Sequence, residues 1–247
     1  MNSLLMARRT PDTSGIFEYS LDKSNWSPMV ISFDGDGFPN GTKVTFGNGQ
    51  KLYLRGINTQ LGKQHSTSLF YFVNNNVKIK VSGNIMALLD YRNPPTTIPD
   101  VGTLGGVFGG VFAGFDFEYE DEEGGYYHIA TAPLEDASEL LLPQDYNLYC
   151  YWGLFLGCKA LRYAPTLPAA PLQAGSCHEM FDGCSSLSYL ICRATDISAT
   201  NCTLYMLSSV SQAGELFCPS SVKSQWEQKR GTNYGPPTGW TIRELAN

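Results

Sequence analysis

The sequence predicts a mainly β protein, in which an N-terminal antiparallel β-sandwich is followed by a short leucine-rich-repeat solenoid and a small C-terminal helical cap. Three observations predict this class: strand-like segments separated by turn residues, an eight-residue motif that recurs, and a helix signal near the end. The predicted units are an arm (1–13), the β-sandwich (14–91), a proline-rich linker (92–103), the solenoid (104–217, with an acidic insertion at 115–131) and the cap (218–247).

The first third of the chain has the pattern of short strands. Clusters of Gly, Asn and Asp, such as Asp34-Gly35-Asp36-Gly37, separate segments with apolar and polar alternation, such as Lys78-Ile79-Lys80-Val81. Alternation of this kind is typical of antiparallel sheets with one solvated face. The predicted strands are Ile16 to Ser20, Met29 to Phe33, Thr42 to Phe46, Lys51 to Ile57, Ser68 to Phe72 and Val77 to Val81.

A motif recurs in the second half with an offset of 26 residues: Leu154 to Leu161 returns as Met180 to Leu187, and Met206-Leu207 begins a third, decayed copy. Copies at a fixed spacing are units that cannot bury their apolar face alone, so we expect them to stack. Phe155 should then lie on Phe181, with Leu161 and Leu187 below. The predicted repeat core is Phe155, Cys158, Leu161, Phe181, Cys184, Leu187 and Leu207.

Both ends of the repeat region carry further signals. An earlier copy begins near Val111-Phe112 if the segment 115–131 is an insertion, and its acidic run favours a protruding hairpin or loop. Pro219 to Arg230 has helix character, with Ser220 or Ser221 near the N-cap and Gly231 just past the end. We expect the tail 231–247 to fold back over the last copy.

The pattern M-F-x-G-C-x-S-L, a Leu-Pro-Ala linker at Leu167, the closing segment 194–203 and Gly239-Trp240 resemble the BspA-like leucine-rich-repeat surface proteins of Bacteroides-type bacteria and their phages. The stretch from Gly83 to Leu89 is similar to the hinge before the repeats in that family. The resemblance implies surface display and adhesion without catalysis. This chain departs from the family pattern in having few full repeats and an acidic insertion.

Composition limits the class of partner. The 247 residues carry a net charge of −6, with 43% hydrophobic and 16% charged residues, which is ordinary for a globular protein. A basic nucleic-acid footprint is absent from the sequence, and no apolar run reaches the ~18 residues of a membrane span. The N-terminal segment Met1 to Arg9 places its charges after a short apolar stretch, the reverse of a secretory signal. We expect neither nucleic-acid binding nor membrane insertion.

The seven cysteines all lie in or beside the repeats, their number is odd, and no Cys-x-x-Cys pair occurs. We therefore predict free buried thiols, with one disulfide between neighbouring copies or a metal site as alternatives. His65, His128 and His178 are scattered, and the adjacent Cys177-His178-Glu179 does not have converging side chains. We predict no catalytic residue, no metal and no cofactor, with calcium at the acidic run 116–123 as an alternative.

Tyrosine and tryptophan cluster around the repeats, where exposed rings would serve recognition. The candidate partner-binding residues are Tyr126, Tyr127, Tyr146, Tyr149, Trp152, Tyr163 and Tyr189. The predicted function is a non-enzymatic surface attachment module of a phage virion (capsid, fibre or tail surface), present in multiple copies or as a homo-oligomer. Its expected partners are other structural proteins of the assembly and a host-surface glycan or protein. The alternatives are a bacterial cell-surface adhesin and, further off, a carbohydrate-active enzyme.

Overall fold

The computed structural model describes residues 2–6, 16–30, 41–47, 49–58, 61, 70–73, 78–99, 107–113, 116–120, 126–130 and 134–246. For the four strands at 2–6, 70–73, 116–120 and 126–130 the backbone alone is described.

The described residues form thirteen strands, a 3₁₀ helix (Ile85–Leu88) and one α-helix, α1 (Ser220–Lys229). The strands are β1 (Asn2–Met6), β2 (Ile16–Ser20), β3 (Ser27–Met29), β4 (Lys43–Phe46), β5 (Tyr53–Ile57), β6 (Phe70–Val73), β7 (Ile79–Asn84), β8 (Asp116–Glu120), β9 (Tyr126–Ala130), β10 (Leu134–Leu141), β11 (Tyr189–Ile191), β12 (Ala213–Cys218) and β13 (Gly239–Glu244). Each of the six N-terminal segments predicted as a strand overlaps one of β2 to β7.

The strands pair in five small sheets. The antiparallel ones have the orders β4-β1-β6, β3-β2-β5 and β8-β9, whereas β10-β7 and β11-β12-β13 are parallel. One cluster of buried side chains extends from Phe17 to Ile242 and includes Ile98 of the proline-rich segment, whose N–H donates to the Asp145 carboxylate at 3.0 Å. The N-terminal and repeat parts thus share buried contacts.

The predicted fold class, an antiparallel β-sandwich followed by a leucine-rich-repeat solenoid, is wrong. The described residues form separate sheets of two or three strands, and no sheet among them is closed. Strand β7, predicted to belong to the sandwich, pairs in parallel with β10, with Ile79 opposite Leu134. The alternation of apolar and polar residues indicates where short strands lie, but it does not encode which strands become neighbours. For this reason the strands were located but their predicted arrangement is wrong.

The repeat region departs from the predicted class for a second reason. A leucine-rich-repeat solenoid places a strand of every copy in one continuous parallel sheet. Here the pairings Leu167↔Cys192 and Pro171↔Asp196 are isolated bridges, and the sheet that does form takes its third strand, β13, from the tail. Prolines at 165, 168 and 171 lack the N–H that a continuous strand would donate.

The repeated motif is built from turns. We define three turn segments, 147–158, 173–184 and 199–210, each 26 residues after the one before. In the first two segments, most even-numbered residues donate within their own segment, as Trp152 N–H does to Tyr149 O at 3.1 Å, and most odd-numbered residues donate to the next segment, as Phe155 N–H does to Met180 O at 2.9 Å. The backbone is thereby satisfied without strands.

Left-handed backbone recurs at every fourth residue of these turn segments. The residues with positive φ are Tyr149, Gly153 and Gly157 in the first segment, Gly175, Glu179 and Gly183 in the second, and Asn201, Tyr205 and Ser209 in the third. Four of the nine are glycine, which adopts this conformation without steric cost. The others hold a side chain in a conformation that L-residues rarely adopt.

An earlier copy packs on the first turn segment. Phe108 N–H donates to Cys150 O and Phe112 N–H to Leu154 O, both at 3.0 Å. Phe112 and Phe155 stack although they are 43 residues apart, against 26 for Phe155 and Phe181. The difference of 17 residues equals the length of the predicted insertion 115–131. Within that stretch β8 and β9 form an antiparallel pair, and residues 121–125, the end of the acidic run, lie outside the described residues.

The side chains predicted as repeat core are at most 2% exposed: Phe155, Cys158, Leu161, Phe181, Cys184, Leu187 and Leu207. The predicted stacking of Phe155 on Phe181 is present, with ring centroids 5.5 Å apart and planes 2° apart. Burial of rings against one another in register holds consecutive copies together.

The C-terminal segment closes the third copy. Helix α1 has Pro219 as its N-cap, with no side-chain cap; Ser220 and Ser221, expected near the N-cap, are its first two residues. Gly231, with φ 76°, follows the helix in the predicted role. Tyr205 N–H donates to Asn233 O, and buried Trp240 donates its Nε1–H to Ser211 O, both at 2.6 Å. None of the helices in the described ranges has the length and apolarity to cross a membrane.

Candidate functional site

Two exposed tyrosines occupy the same position of consecutive copies. Tyr163 and Tyr189 are 26 residues apart, and 53% and 43% of their surface is exposed. Each follows a fully buried leucine by two residues, Leu161 or Leu187. Each exposed tyrosine therefore lies two residues from a side chain that is fixed in the core.

Parallel pairing places these tyrosines within a row of chain segments. Tyr163 forms an isolated bridge with Asp136 of β10, which pairs with Lys80 of β7, while Tyr189 pairs with Glu215 of β12. The ring of Phe217 lies 5.2 Å from the Tyr189 ring, at an angle of 45°. We call the outward side of this row, with Tyr163, Tyr189, Phe217 and the charged side chains beside them, the strand face.

The backbone beside Tyr163 and Tyr189 is already hydrogen-bonded. Ala137 N–H donates to Tyr163 O at 2.7 Å, and Glu215 N–H donates to Ser188 O at 2.9 Å. A ligand at this face would therefore contact side chains and not a free strand edge.

Charged side chains on the strand face form ion pairs with each other. The pairs are Lys78–Glu135 at 2.5 Å, Lys80–Asp136 at 2.8 Å, Arg162–Glu135 at 3.8 Å and Arg243–Glu215 at 2.6 Å. Desolvation acts to raise the pKa of Asp136, but hydrogen bonds from Lys80 and Ser138 hold that pKa below its usual value. The Asp136 hydrogen bond in turn raises the pKa of Lys80. Both members of this pair are charged at neutral pH.

A second group of rings lies along the turn segments. Trp152 stacks on His178 with centroids 4.9 Å apart, Tyr149 lies 5.2 Å from Trp152, and Tyr205 lies 6.3 Å from His178. Trp152 Nε1–H donates to Glu179 Oε2 at 3.1 Å, and His178 Nε2 is 3.3 Å from the other oxygen. Because these rings cover one another, they connect the copies and present mainly their edges.

The candidate partner-binding residues thus fall into different environments. Tyr163 and Tyr189 are exposed, Tyr149 is half-buried, and Trp152 and Tyr146 are each only 7% exposed. The Tyr146 hydroxyl donates to Pro168 O at 3.1 Å, so this ring serves packing. For Tyr126 and Tyr127 the structure describes backbone in β9 and not the side chains.

Sequence reasoning missed Phe217, and also His178, Glu179 and Tyr205 as members of the ring group. His178 lies 26 residues after Trp152, so the repeat offset carried a usable signal for it. Phe217 lies in β12, outside the recurring motif, and no pattern in the sequence places it beside Tyr189.

All seven cysteines are buried and free. Several thiols donate to carbonyls: Cys158 Sγ to Phe112 O at 3.0 Å and Cys184 Sγ to Phe155 O at 3.2 Å, each reaching the copy before its own. Burial raises the pKa of Cys150 and of Cys192 to about 12. These thiols behave as small apolar groups.

The other chemical alternatives find little support in the described residues. Burial raises the Cys177 pKa well above its usual value, so the thiol beside His178 is protonated and enclosed. Among the described side chains, no three or more of His, Cys, Asp and Glu are grouped as metal ligands would be. The acidic side chains of 116–123, considered for calcium, lie outside the described residues.

No protein family, curated protein or solved structure matches this chain.

Proposed function

We propose that this protein is a non-enzymatic attachment module, displayed in several copies on the surface of a phage particle as part of its capsid, fibre or tail. It docks on other structural proteins of the particle and recognises a glycan or protein of the host surface through the strand face. The observation that carries the proposal is the exposure of Tyr163 and Tyr189 at equivalent positions of consecutive copies.

Exposed tyrosine suits recognition for a physical reason. Its ring offers a flat apolar surface, its hydroxyl offers a hydrogen bond, and its few rotatable bonds lose little entropy on binding. Tyr163 and Tyr189 follow the fully buried Leu161 and Leu187, so their backbone is held by the core. Rings on a rigid support bind with less loss of entropy than rings on a free loop.

A single copy with two exposed rings binds weakly, and the display of many copies strengthens the binding. A particle that displays several copies converts later contacts into intramolecular ones, which raises avidity by ~10²–10⁴ without any new contact. A virion surface supplies such copies, and so does a bacterial cell surface. Proteomics of purified particles and of cell envelopes separates these two locations.

The test of function is binding of host cells by the multimerised full-length chain. Tyr163→Ala and Tyr189→Ala together should lower binding by about tenfold or more, because each ring contributes on the order of 1 kcal/mol at a contact. Leu148→Ala is the matched control, since Leu148 is 48% exposed on a turn segment and not on the strand face. Unchanged binding by the double variant, with its thermal unfolding also unchanged, would refute the assignment of the strand face.

A further inference from the structure

Positive and negative side chains of the strand face lie close to one another, so their charges nearly cancel. Its three closest ion pairs join Lys78 to Glu135, Lys80 to Asp136 and Arg243 to Glu215, at 2.5 to 2.8 Å. Glu139 of β10 and Arg193, just beyond β11, are exposed, form no ion pair with a described residue and have opposite signs. The face therefore has both signs of charge in close alternation and no area of a single sign.

This pairing disfavours a charged ligand. An anionic polymer gains affinity when unpaired cations of the protein displace its counterions into solution. Lys80 and Arg243 already hold Asp136 and Glu215, so part of their charge is neutralised within the face. A cationic ligand meets the same obstacle with the signs reversed. The face therefore offers few unpaired charges to a ligand of either sign.

The surroundings of the rings also disfavour a protein partner. The cores of protein interfaces are depleted of charged residues. Here Tyr163, Tyr189 and Phe217 stand among ion pairs, with Asp136 beside Tyr163 and Glu215 beside Tyr189. An added peptide strand needs a free edge, whereas the segments that carry Tyr163, Tyr189 and Phe217 already pair with β10, β12 and β13.

Rings bordered by neutralised carboxylate and guanidinium groups match a chain of uncharged sugars. The apolar face of a sugar ring packs on tyrosine, and its hydroxyl groups donate to carboxylates and accept from guanidinium groups. We infer that the strand face binds a neutral glycan chain and excludes anionic polysaccharides and nucleic acids. This inference rests on the proposed function and names the ligand class of the same surface.

The experiment uses an array on which neutral glycans stand beside sulfated, phosphorylated or carboxylated versions of the same backbone, probed with the multimerised full-length chain. The bound members should be neutral. Between about 0.05 and about 0.5 M sodium chloride the signal should change by less than about twofold, because few counterions are released. Tyr163→Ala with Tyr189→Ala should lower the signal about tenfold or more.

A charge variant adds a readout that a merely structural role would not produce. Glu215→Gln frees the Arg243 guanidinium, which Glu215 holds at 2.6 Å. We expect this variant to gain several-fold in binding to sulfated glycans at low salt. Glu244→Gln is the matched control, since it likewise frees a cation, Lys223 of α1, in a pair outside the strand face.

The outcomes separate this inference from the function on which it rests. Preference for charged glycans, steep loss of binding with salt, or host binding that survives removal of glycans but not of proteins would overturn the neutral-glycan inference. If host binding in any of those cases still depends on Tyr163 and Tyr189, the proposed function stands. If the double variant binds host cells as well as the unmodified chain does, both are wrong.

Discussion

The ring of Phe155 lies face to face on the ring of Phe181, with centroids 5.5 Å and planes 2° apart, and on its other side Phe112 stacks at 5.7 Å. Three copies of one position therefore form a continuous aromatic column through the core. The column is in register even though the first step contains 17 more residues than the second. The turn segments set this register through their hydrogen bonds, and the inserted residues leave it unchanged.

Phe181→Ala should destabilise the protein by about 3–5 kcal/mol, because it removes a fully buried ring and leaves a cavity beside Phe155. Thermal or urea unfolding measures the change. Leu148→Ala, at a side chain that is 48% exposed, should cost less than about 1 kcal/mol. Equal stability of the two variants would show that the aromatic column does not form.

Gly175→Ala should also destabilise the protein. Its φ of 62° is left-handed, and an added Cβ would overlap the Tyr149 ring. The left-handed strain alone costs about 1–2 kcal/mol, and the collision adds to it.

The two causes at Gly175 can be separated with Tyr149→Ala. In that background the collision is gone, so Gly175→Ala should cost only the backbone strain, and the two substitutions should show a coupling energy of about 1 kcal/mol or more. Strictly additive effects would mean that the Tyr149 ring does not cover Gly175.

The cysteine thiols should react only when the protein unfolds. All seven are free and buried, so a thiol reagent should modify seven groups in denaturant without reductant. In the native protein at pH 7 to about 9 the reaction should be slow and limited by opening, because the thiolate is the reactive form. Rapid native modification, or fewer than seven groups after denaturation, would contradict the buried-thiol account.

Stability should fall in alkaline solution. Burial raises the pKa of Cys150 and Cys192 from 9.0 to about 12, so above pH 9 the unfolded chain releases protons that the folded chain retains. The unfolded state is then favoured, and the contribution of these thiols is lost as pH rises from 9 toward 12. Thermal unfolding at pH 7 and pH 10 measures this. A variant with Cys150→Ala and Cys192→Ala should show a shallower decline; an identical slope would assign the decline to other groups.

The repeat was readable from the sequence because the core positions keep their residue type. Phe155 returns as Phe181 and Cys158 as Cys184, so a fixed offset was visible. The fold class was wrong because the same offset arises in any stack of copies, whether the copies are strands or turns. These copies are turns because certain positions have a left-handed backbone. Such a position is a glycine at Gly153 but a glutamate at the equivalent Glu179, so residue type did not reveal the left-handed positions.

The candidate surface was predicted only in part. Tyr163 and Tyr189 were named because they are aromatic, but the same criterion named Tyr146 and Trp152, which are buried. Residue type does not distinguish an exposed ring from a buried one, because burial depends on neighbours that the sequence alone does not show. Phe217 was missed because its neighbour Tyr189 is distant in the chain and meets it through parallel pairing of β11 and β12.

The most direct test of the central claim is hydroxyl-radical labelling of the multimerised full-length chain, free and bound to host envelopes, with oxidation of each tyrosine read by mass spectrometry. Tyr205 and Tyr234, each 38% exposed and outside the strand face, are internal references. The account predicts that Tyr163 and Tyr189 become protected on binding while Tyr205 and Tyr234 stay as reactive as before. Protection of the reference tyrosines with no change at Tyr163 and Tyr189 would contradict it.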